Sequence, residues 1–223
     1  MQDRSPLRYA RSTLGLKLLM AITGVVLFGF LIGHVAGNLL IFLGPKKINE
    51  YSKFLHESPG ILWGTRLALL AAVAVHVFAA VTLTKRKADA RPVPYIGKTP
   101  HGSSYASRTM MWSGPVIALF VIYHLLHFTT GHAHPKFDPH DVYANVVLGF
   151  QRWPVGLTYI LAMLALGLHL SHGLWSMLQT VGVNRPHLEP ALRKISIAVA
   201  ALLIAGFIAV PVAVLAEIVK VNP

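Results

Sequence analysis

Five long apolar stretches constrain the fold of this chain more than any other feature of its sequence. They cover about Leu16–Leu43, Leu62–Leu83, Met110–Phe128, Val155–Leu178 and Ile195–Val219. Each has close to the roughly 20 apolar residues that an α-helix needs to cross a bilayer core. Backbone groups in lipid must be paired within their own segment, so the stretches predict five transmembrane helices. The predicted fold is an all-α polytopic membrane protein in which residues 1–223 form one domain.

The composition agrees with a membrane protein and excludes several kinds of site. Hydrophobic residues make up 54% of the 223 positions, and only 13% are charged. There is no cysteine, which rules out iron–sulfur clusters, thiolate-bound or covalently attached haem, and disulfides. The net charge of +12 is concentrated in loops, not interleaved with aromatic residues on one face. This pattern indicates contact with anionic lipid and argues against nucleic acid as a partner.

The basic residues are unequally distributed among the loops. Three segments on one side of the predicted bundle hold most of them: Arg4, Arg8, Arg11 and Lys17; Lys85, Arg86, Lys87, Arg91, Lys98 and Arg108; and Arg185, Arg193 and Lys194. The connections at 44–61 and 129–154 mix basic and acidic residues more evenly. The positive-inside rule then predicts a multi-pass protein of the inner (cytoplasmic) membrane, with its N-terminus in the cytoplasm and its C-terminus outside.

Four of the apolar stretches each contain a histidine, namely His34, His76, His124 and His169. An ionisable residue within the bilayer is costly without a partner, so such residues mark a functional site. Successive helices alternate in direction, and each residue adds about 1.5 Å along the axis. His34 and His124 are therefore expected in the outer half, where we call them the outer pair. His76 and His169 are expected nearer the cytoplasm, and we call them the inner pair.

Imidazole pairs between the helices of a bundle hold haem iron in many proteins. The two pairs therefore predict two stacked haems, bound by a bundle of the first four helices. Glycines near the histidines either bring helices close together or leave room for a flat macrocycle; they are Gly29, Gly33, Gly37, Gly167 and Gly173. Spacing alone leaves His127 and His172 open as ligands, since each follows a candidate by three residues.

Two segments carry a resemblance to a known family: residues 31–38 (LIGHVAGN) and residues 168–176 (LHLSHGLWS). With these segments, five predicted helices and no cysteine, the chain resembles the cytochrome b membrane anchor of succinate dehydrogenase or fumarate reductase. It is most similar to the single-subunit, five-helix, two-haem type. The resemblance covers nearly the whole chain, and the second segment is its most specific part.

The resemblance implies two haems b, with the outer pair binding the distal haem and the inner pair the proximal one. It favours His169 over His172. It also implies two partner subunits, a flavoprotein with FAD that oxidises succinate to fumarate and an iron–sulfur subunit. This chain would be the non-catalytic subunit of respiratory complex II, which serves the tricarboxylic acid cycle. It would pass electrons to a membrane quinone, menaquinone or ubiquinone.

The resemblance further implies an acidic residue for the quinone near the start of the second helix. Glu57 is the best candidate, with Glu50, Tyr51 and His56 nearby, although Glu57 could equally be a solvated loop residue. Basic or hydroxyl partners for the haem propionates are expected at helix ends, where the candidates are Ser12, Lys17, Arg66 and Arg108. Each of these could instead extend to lipid headgroups.

Two other functions are compatible with much of this pattern. The first is the haem b subunit of a quinone-linked hydrogenase or formate dehydrogenase, although those resemble a four-helix design. The second is a transporter that relays protons or binds a metal ion through its intramembrane histidines. Transporters of that kind usually have carboxylates near the midplane, whereas the first four stretches have no Asp or Glu in their cores.

Overall fold

A computed structural model describes residues 11–90, 105–183 and 185–221. Its helices are α1 (Thr13–Leu39), extended by a 3₁₀ turn (Leu40–Leu43), α2 (Pro45–His56), α3 (Pro59–Asp89), α4 (Tyr105–Phe128), α5 (Val142–Phe150), α6 (Trp153–Thr180) and α7 (Glu189–Leu215). Five of these, α1 with its turn, α3, α4, α6 and α7, are long and apolar enough to cross a membrane. The predicted all-α fold with five spanning helices is confirmed. Part of the predicted basic loops, Arg4, Arg8, Arg91 and Lys98, lies outside the described residues.

The second spanning helix is longer than predicted. It was expected to end at Leu83, before the basic cluster, but α3 continues to Asp89. Basic side chains at a helix C-terminus interact favourably with the unpaired carbonyls there, so the cluster belongs to the helix. The Arg86 guanidinium also donates to the Arg11 carbonyl at 2.8 Å and to the Thr13 hydroxyl at 3.3 Å. These bonds join the C-terminus of α3 to the start of α1.

The fifth spanning helix is shorter at its end than the predicted limit of Val219. Helix α7 ends at Leu215, and Glu217 has a positive φ of 58°. The chain turns back there, so that the amides of Ile218 and Val219 both donate to the Ala213 carbonyl. Val219 is thereby buried in a cluster with residues from α2, α5 and α7.

The connections predicted as loops at 44–61 and 129–154 contain two short helices, α2 and α5, that the sequence analysis missed. Asp141 caps α5 by accepting from the Ala144 amide at 3.0 Å. The same carboxylate oxygen accepts from the Asn49 amide of α2 at 2.9 Å, and Asn49 accepts from the Tyr143 amide at 3.0 Å. The two helices are thus bonded side by side at one end of the bundle, which we call the capped end.

The spanning helices pack in an order that separates the two helices of each facing histidine pair, α1 from α4 and α3 from α6. Helix α6 packs most closely against α7 and α4, and α1 packs against α3 and, less extensively, against α7 and α6. In the part of the chain that the structure describes, α1 has no extensive backbone contact with α4, and α3 has none with α6. These two separated helix pairs are the ones that carry the outer and inner histidine pairs.

Candidate functional site

The two histidines of the outer pair face each other from α1 and α4. The ring centroids of His34 and His124 are 5.8 Å apart, and the ring planes lie at 80° to each other. A phenylalanine one turn earlier on each helix supports its histidine: Phe30 stacks on His34 at 5.2 Å, and Phe120 on His124 at 6.0 Å. Both imidazoles are therefore held by apolar neighbours on their own helices.

The inner pair faces across from α3 to α6. The ring centroids of His76 and His169 are 6.4 Å apart, with the planes at 52°. The hydroxyl oxygen of Thr23, on α1, lies 3.0 Å from His76 Nδ1. On the α6 side, His169 Nδ1 is buried and has no hydrogen-bond partner among the described residues.

This geometry fits haem iron bound by two imidazoles. Imidazole–metal bonds are about 2 Å long, so two rings on opposite sides of one metal have centroids roughly 6 Å apart. Both observed separations, 5.8 and 6.4 Å, are close to that value. No three His, Cys, Asp or Glu side chains in the described ranges come together as a metal site. Two nitrogens suit a porphyrin, because the macrocycle supplies the remaining ligands and the protein supplies the axial ones.

The two pairs lie at different depths along the bundle. On α1, Thr23 contacts the inner pair and His34 belongs to the outer pair, eleven residues later. At 1.5 Å per residue this corresponds to about 16 Å along the axis. Helix α6 gives a similar value, since Tyr159 lies beside His124 and precedes His169 by ten residues, about 15 Å. The two pairs are therefore separated along the axis of the helix bundle.

The glycines near the histidines divide into two groups. A Cβ at Gly37 would lie 2.7 Å from the Tyr51 ring, so this glycine lets α2 approach α1. A Cβ on the glycine at 167 would lie 3.2 Å from a side chain of α7. At the other three positions, Gly29, Gly33 and Gly173, a Cβ would meet nothing within 4 Å. Helix packing therefore accounts for two of the five, and the other three border open space.

The residues predicted for the quinone site lie on α2 and just after it. Glu50 pairs with Lys46 at 3.9 Å and with Lys47 at 3.8 Å, and Glu57 pairs with Lys53 at 3.6 Å. All of these side chains are exposed. His56 is also exposed, and its Nδ1 lies 2.8 Å from the carbonyl oxygen at position 52. Tyr51 is also exposed, but its ring packs on α1 beside Gly37, about one turn beyond His34.

The residues predicted for the propionates have other contacts in the protein. The Ser12 hydroxyl caps α1 by accepting from the Gly15 amide at 3.0 Å. The Arg66 guanidinium lies 5.1 Å from the centroid of the Trp63 ring. Lys17 and Arg108 are exposed at the ends of α1 and α4 that lie opposite the capped end. A role for Ser12 or Arg66 in binding a propionate would therefore require the loss or sharing of its present contact, the capping bond of Ser12 or the cation–π contact of Arg66.

Sequence reasoning missed a polar group behind the outer pair. The Tyr159 hydroxyl on α6 lies 3.4 Å from His124 Nδ1 and 3.0 Å from His127 Nδ1. His127 is completely buried, with an exposed fraction of 0%. Its position three residues after His124 made it a possible ligand, but the structure places it against Tyr159 instead of across from His34. No spacing in the sequence signals Tyr159, because its role depends on which face of α6 meets α4.

The structure is that of a polytopic helical membrane protein in which two pairs of imidazoles face each other between helices. The family model for the succinate dehydrogenase/fumarate reductase transmembrane subunit matches residues 86–210, more than half of the chain. The protein belongs to this family, whose members are membrane-anchor subunits that generally bind haem b. The matched region contains His124 and His169 and begins after His34 and His76. Comparison with curated proteins and with solved structures gave no match.

Proposed function

We propose that this protein binds two haems b and passes electrons from an iron–sulfur subunit to a membrane quinone, as the anchor of a succinate:quinone oxidoreductase. The observation that carries the proposal is the placement of two imidazole pairs across helices that are otherwise held apart. Family membership supports the same conclusion and argues against a transporter and against a subunit of hydrogenase or formate dehydrogenase. The whole chain, residues 1–223, serves as one membrane-anchor domain.

In this proposal the outer pair, His34 and His124, binds the distal haem, and the inner pair, His76 and His169, binds the proximal haem. Bound haem supplies reversible one-electron transfer at its iron. The chain's own part is to fix the axial imidazoles, to exclude water with apolar helix faces, and to keep the sites about 16 Å apart. This stacked arrangement provides a route from one end of the bundle to the other.

The partners are an FAD-containing flavoprotein and the iron–sulfur subunit, which dock on the cytoplasmic side. The end of the bundle opposite the capped end is rich in basic residues, including Arg11, Arg86 and Arg193. The positive-inside rule therefore favours that end as the cytoplasmic one in the inner membrane. The N-terminus is then cytoplasmic, the C-terminus is outside, and the basic surface is suited to an acidic docking partner.

The quinone, menaquinone or ubiquinone, reacts near the distal haem at the capped end. Among the candidates Glu57, Glu50, Tyr51 and His56, we give Tyr51 the first place for contact with the quinone ring. The support for this choice is its packing on α1 one turn from His34, whereas the two glutamates are paired with surface lysines. Ser12, Lys17, Arg66 and Arg108 remain the candidates for the propionates.

The test is to purify the full chain with its two partner subunits and to measure haem and activity together. We expect a reduced-minus-oxidised spectrum with b-type bands, about two haems per chain, and succinate-dependent quinone reduction. A preparation of intact complex without a Soret band would refute the haem assignment. About one haem per chain would refute the two-site arrangement while leaving the family membership intact.

A further inference from the structure

The outer pair differs from the inner pair in having a tyrosine hydroxyl that lies between one of its histidines and a third, buried histidine. We propose that Tyr159 and His127 are positioning residues that fix the tautomer and orientation of His124 and thereby lower the reduction potential of the distal haem. The inference rests on the proposed function, because it assigns a task to residues next to a proposed ligand.

The two contacts of Tyr159 are compatible with either proton direction, and binding of metal by His124 Nε2 would select one of them. A neutral imidazole that binds metal through Nε2 carries its proton on Nδ1, so His124 Nδ1–H must donate. The Tyr159 oxygen is the acceptor, at 3.4 Å, which is longer than the usual range of about 2.7–3.2 Å. The single Tyr159 proton is then donated to His127 Nδ1, at the shorter distance of 3.0 Å.

The opposite direction of these two hydrogen bonds is incompatible with metal binding by His124 Nε2. If His127 Nδ1–H donated to Tyr159, the tyrosine would donate to His124 Nδ1, and the His124 proton would have to lie on Nε2. That nitrogen could not then bind iron. The orientation of the Tyr159 hydroxyl and the coordination of His124 are therefore two aspects of one arrangement.

The surroundings hold both positioning residues in place. The His127 ring stacks on Tyr123, with centroids 5.5 Å apart and planes at 11°. The Tyr159 ring makes edge contacts with Phe120 and Phe150, both at 4.9 Å. On α5, the absence of a side chain at Gly149 gives His127 its space, since a Cβ there would lie 2.9 Å from His127 Cε1. The hydroxyl is thus fixed by packing and not only by its hydrogen bonds.

The inner pair provides a matched comparison within the same chain. The Thr23 hydroxyl donates to the Leu19 carbonyl at 2.8 Å, so its oxygen is free to accept from His76 Nδ1 at 3.0 Å. Each site therefore has one ligand that donates to a hydroxyl on a neighbouring helix. Removing either hydroxyl is expected to affect only the haem of its own site.

The expected effect is a change in reduction potential. An acceptor for the ligand's N–H makes the imidazole a stronger donor, which stabilises the oxidised iron and lowers the potential. Tyr159→Phe keeps the ring contacts but removes the acceptor, so the midpoint potential of the distal haem should rise. Thr23→Val should raise that of the proximal haem instead.

The experiment is a spectroelectrochemical titration of the purified complex, with low-temperature EPR of the oxidised haems and haem content measured on each sample. The variants are Tyr159→Phe, Thr23→Val and His127→Asn. The last of these keeps an acceptor near the position of His127 Nδ1, so it should shift the potential of the distal haem less than Tyr159→Phe does. The control is Tyr123→Phe, which removes a hydroxyl from the same aromatic cluster and should leave both potentials unchanged.

An upward shift of one midpoint in Tyr159→Phe and of the other in Thr23→Val supports the inference. Unchanged potentials and g-values in Tyr159→Phe, with both haems present, would overturn it and leave the proposed function standing. A wild-type complex without haem would instead overturn the proposed function itself. Loss of the distal haem alone from Tyr159→Phe would also support a role in holding His124, provided that Tyr123→Phe retains both haems.

Discussion

Alanine substitutions of the four histidines, singly and in pairs, test whether the two proposed haem sites are independent. Because the sites lie about 16 Å apart along α1 and share no ligand, each single alanine substitution should remove one haem of two. His76→Ala, His169→Ala and the double variant carrying both should therefore each retain about one haem per chain, since all of them damage the same site. A double variant that combines His34→Ala with His76→Ala damages both sites and should retain almost none.

The measurement is haem b per chain by the pyridine haemochrome method, alongside two activities of the complex. Succinate-dependent quinone reduction should fall in every variant of the four paired histidines, because the route through the bundle is interrupted. Reduction of a soluble dye by the flavoprotein and iron–sulfur subunits should persist where the complex assembles. His172→Ala is the matched control, since it alters a half-buried histidine three residues after His169 and should leave both haems.

The reasoning would be refuted by a double variant from one site that loses both haems although the complex is assembled. It would also be refuted if the variant with His34→Ala and His169→Ala retained one haem with unchanged spectral properties. The first result would mean that the sites depend on each other, and the second that the histidines are paired differently.

Three further predictions concern packing, the capped end and the quinone. Gly206→Ala would place a Cβ 2.8 Å from Val35 Cγ2, so the Val35 side chain or its helix must shift beside His34. We expect a lower melting temperature and a loss of about 1–3 kcal/mol in the free energy of unfolding. Gly64→Ala, whose Cβ meets no neighbour, should not destabilise the protein. Asp141→Ala removes the α5 cap and the bond to Asn49, so the free energy of local opening of α2 and α5, measured by hydrogen exchange, should fall by about 1–2 kcal/mol. The control Glu50→Gln, at an exposed ion pair, should change it little. Tyr51→Leu should raise KM for quinone at unchanged haem content, because its ring packs on α1 one turn from His34. The control Glu57→Gln only breaks an exposed ion pair with Lys53 and should leave KM unchanged. An unchanged KM in Tyr51→Leu would contradict the place we give to Tyr51.

The sequence was sufficient to predict the spanning helices and the face-to-face placement of the four histidines. Hydropathy over about 20 residues locates a spanning helix, and the alternation of direction then gives the depth of each histidine. Helix ends were harder to predict, because basic residues can extend a helix, as in α3, or lie beyond it. The reversal at Glu217 was not predictable, since it depends on a site for Val219 formed by other helices.

The missed features depend on contacts between distant segments. Helices α2 and α5 are short, and both are stabilised at the capped end by the bonds that join Asn49 and Asp141, 92 residues apart in the chain. Thr23 and Tyr159 are ordinary residues of apolar helices, and nothing in their local sequence indicates a polar contact. Their importance follows only from the rotation of α1 and α6 about their axes, which the packing of the whole bundle determines.

Helix α6 carries His169 of one site and, ten residues earlier, the Tyr159 hydroxyl of the other. It is also the helix that touches α1, α4, α5 and α7. A tilt of α6 would displace His169 at one depth and the Tyr159 hydroxyl at the other in the same movement. Bilayer thickness acts on helix tilt, so it would change the two proposed haem sites together and not one at a time.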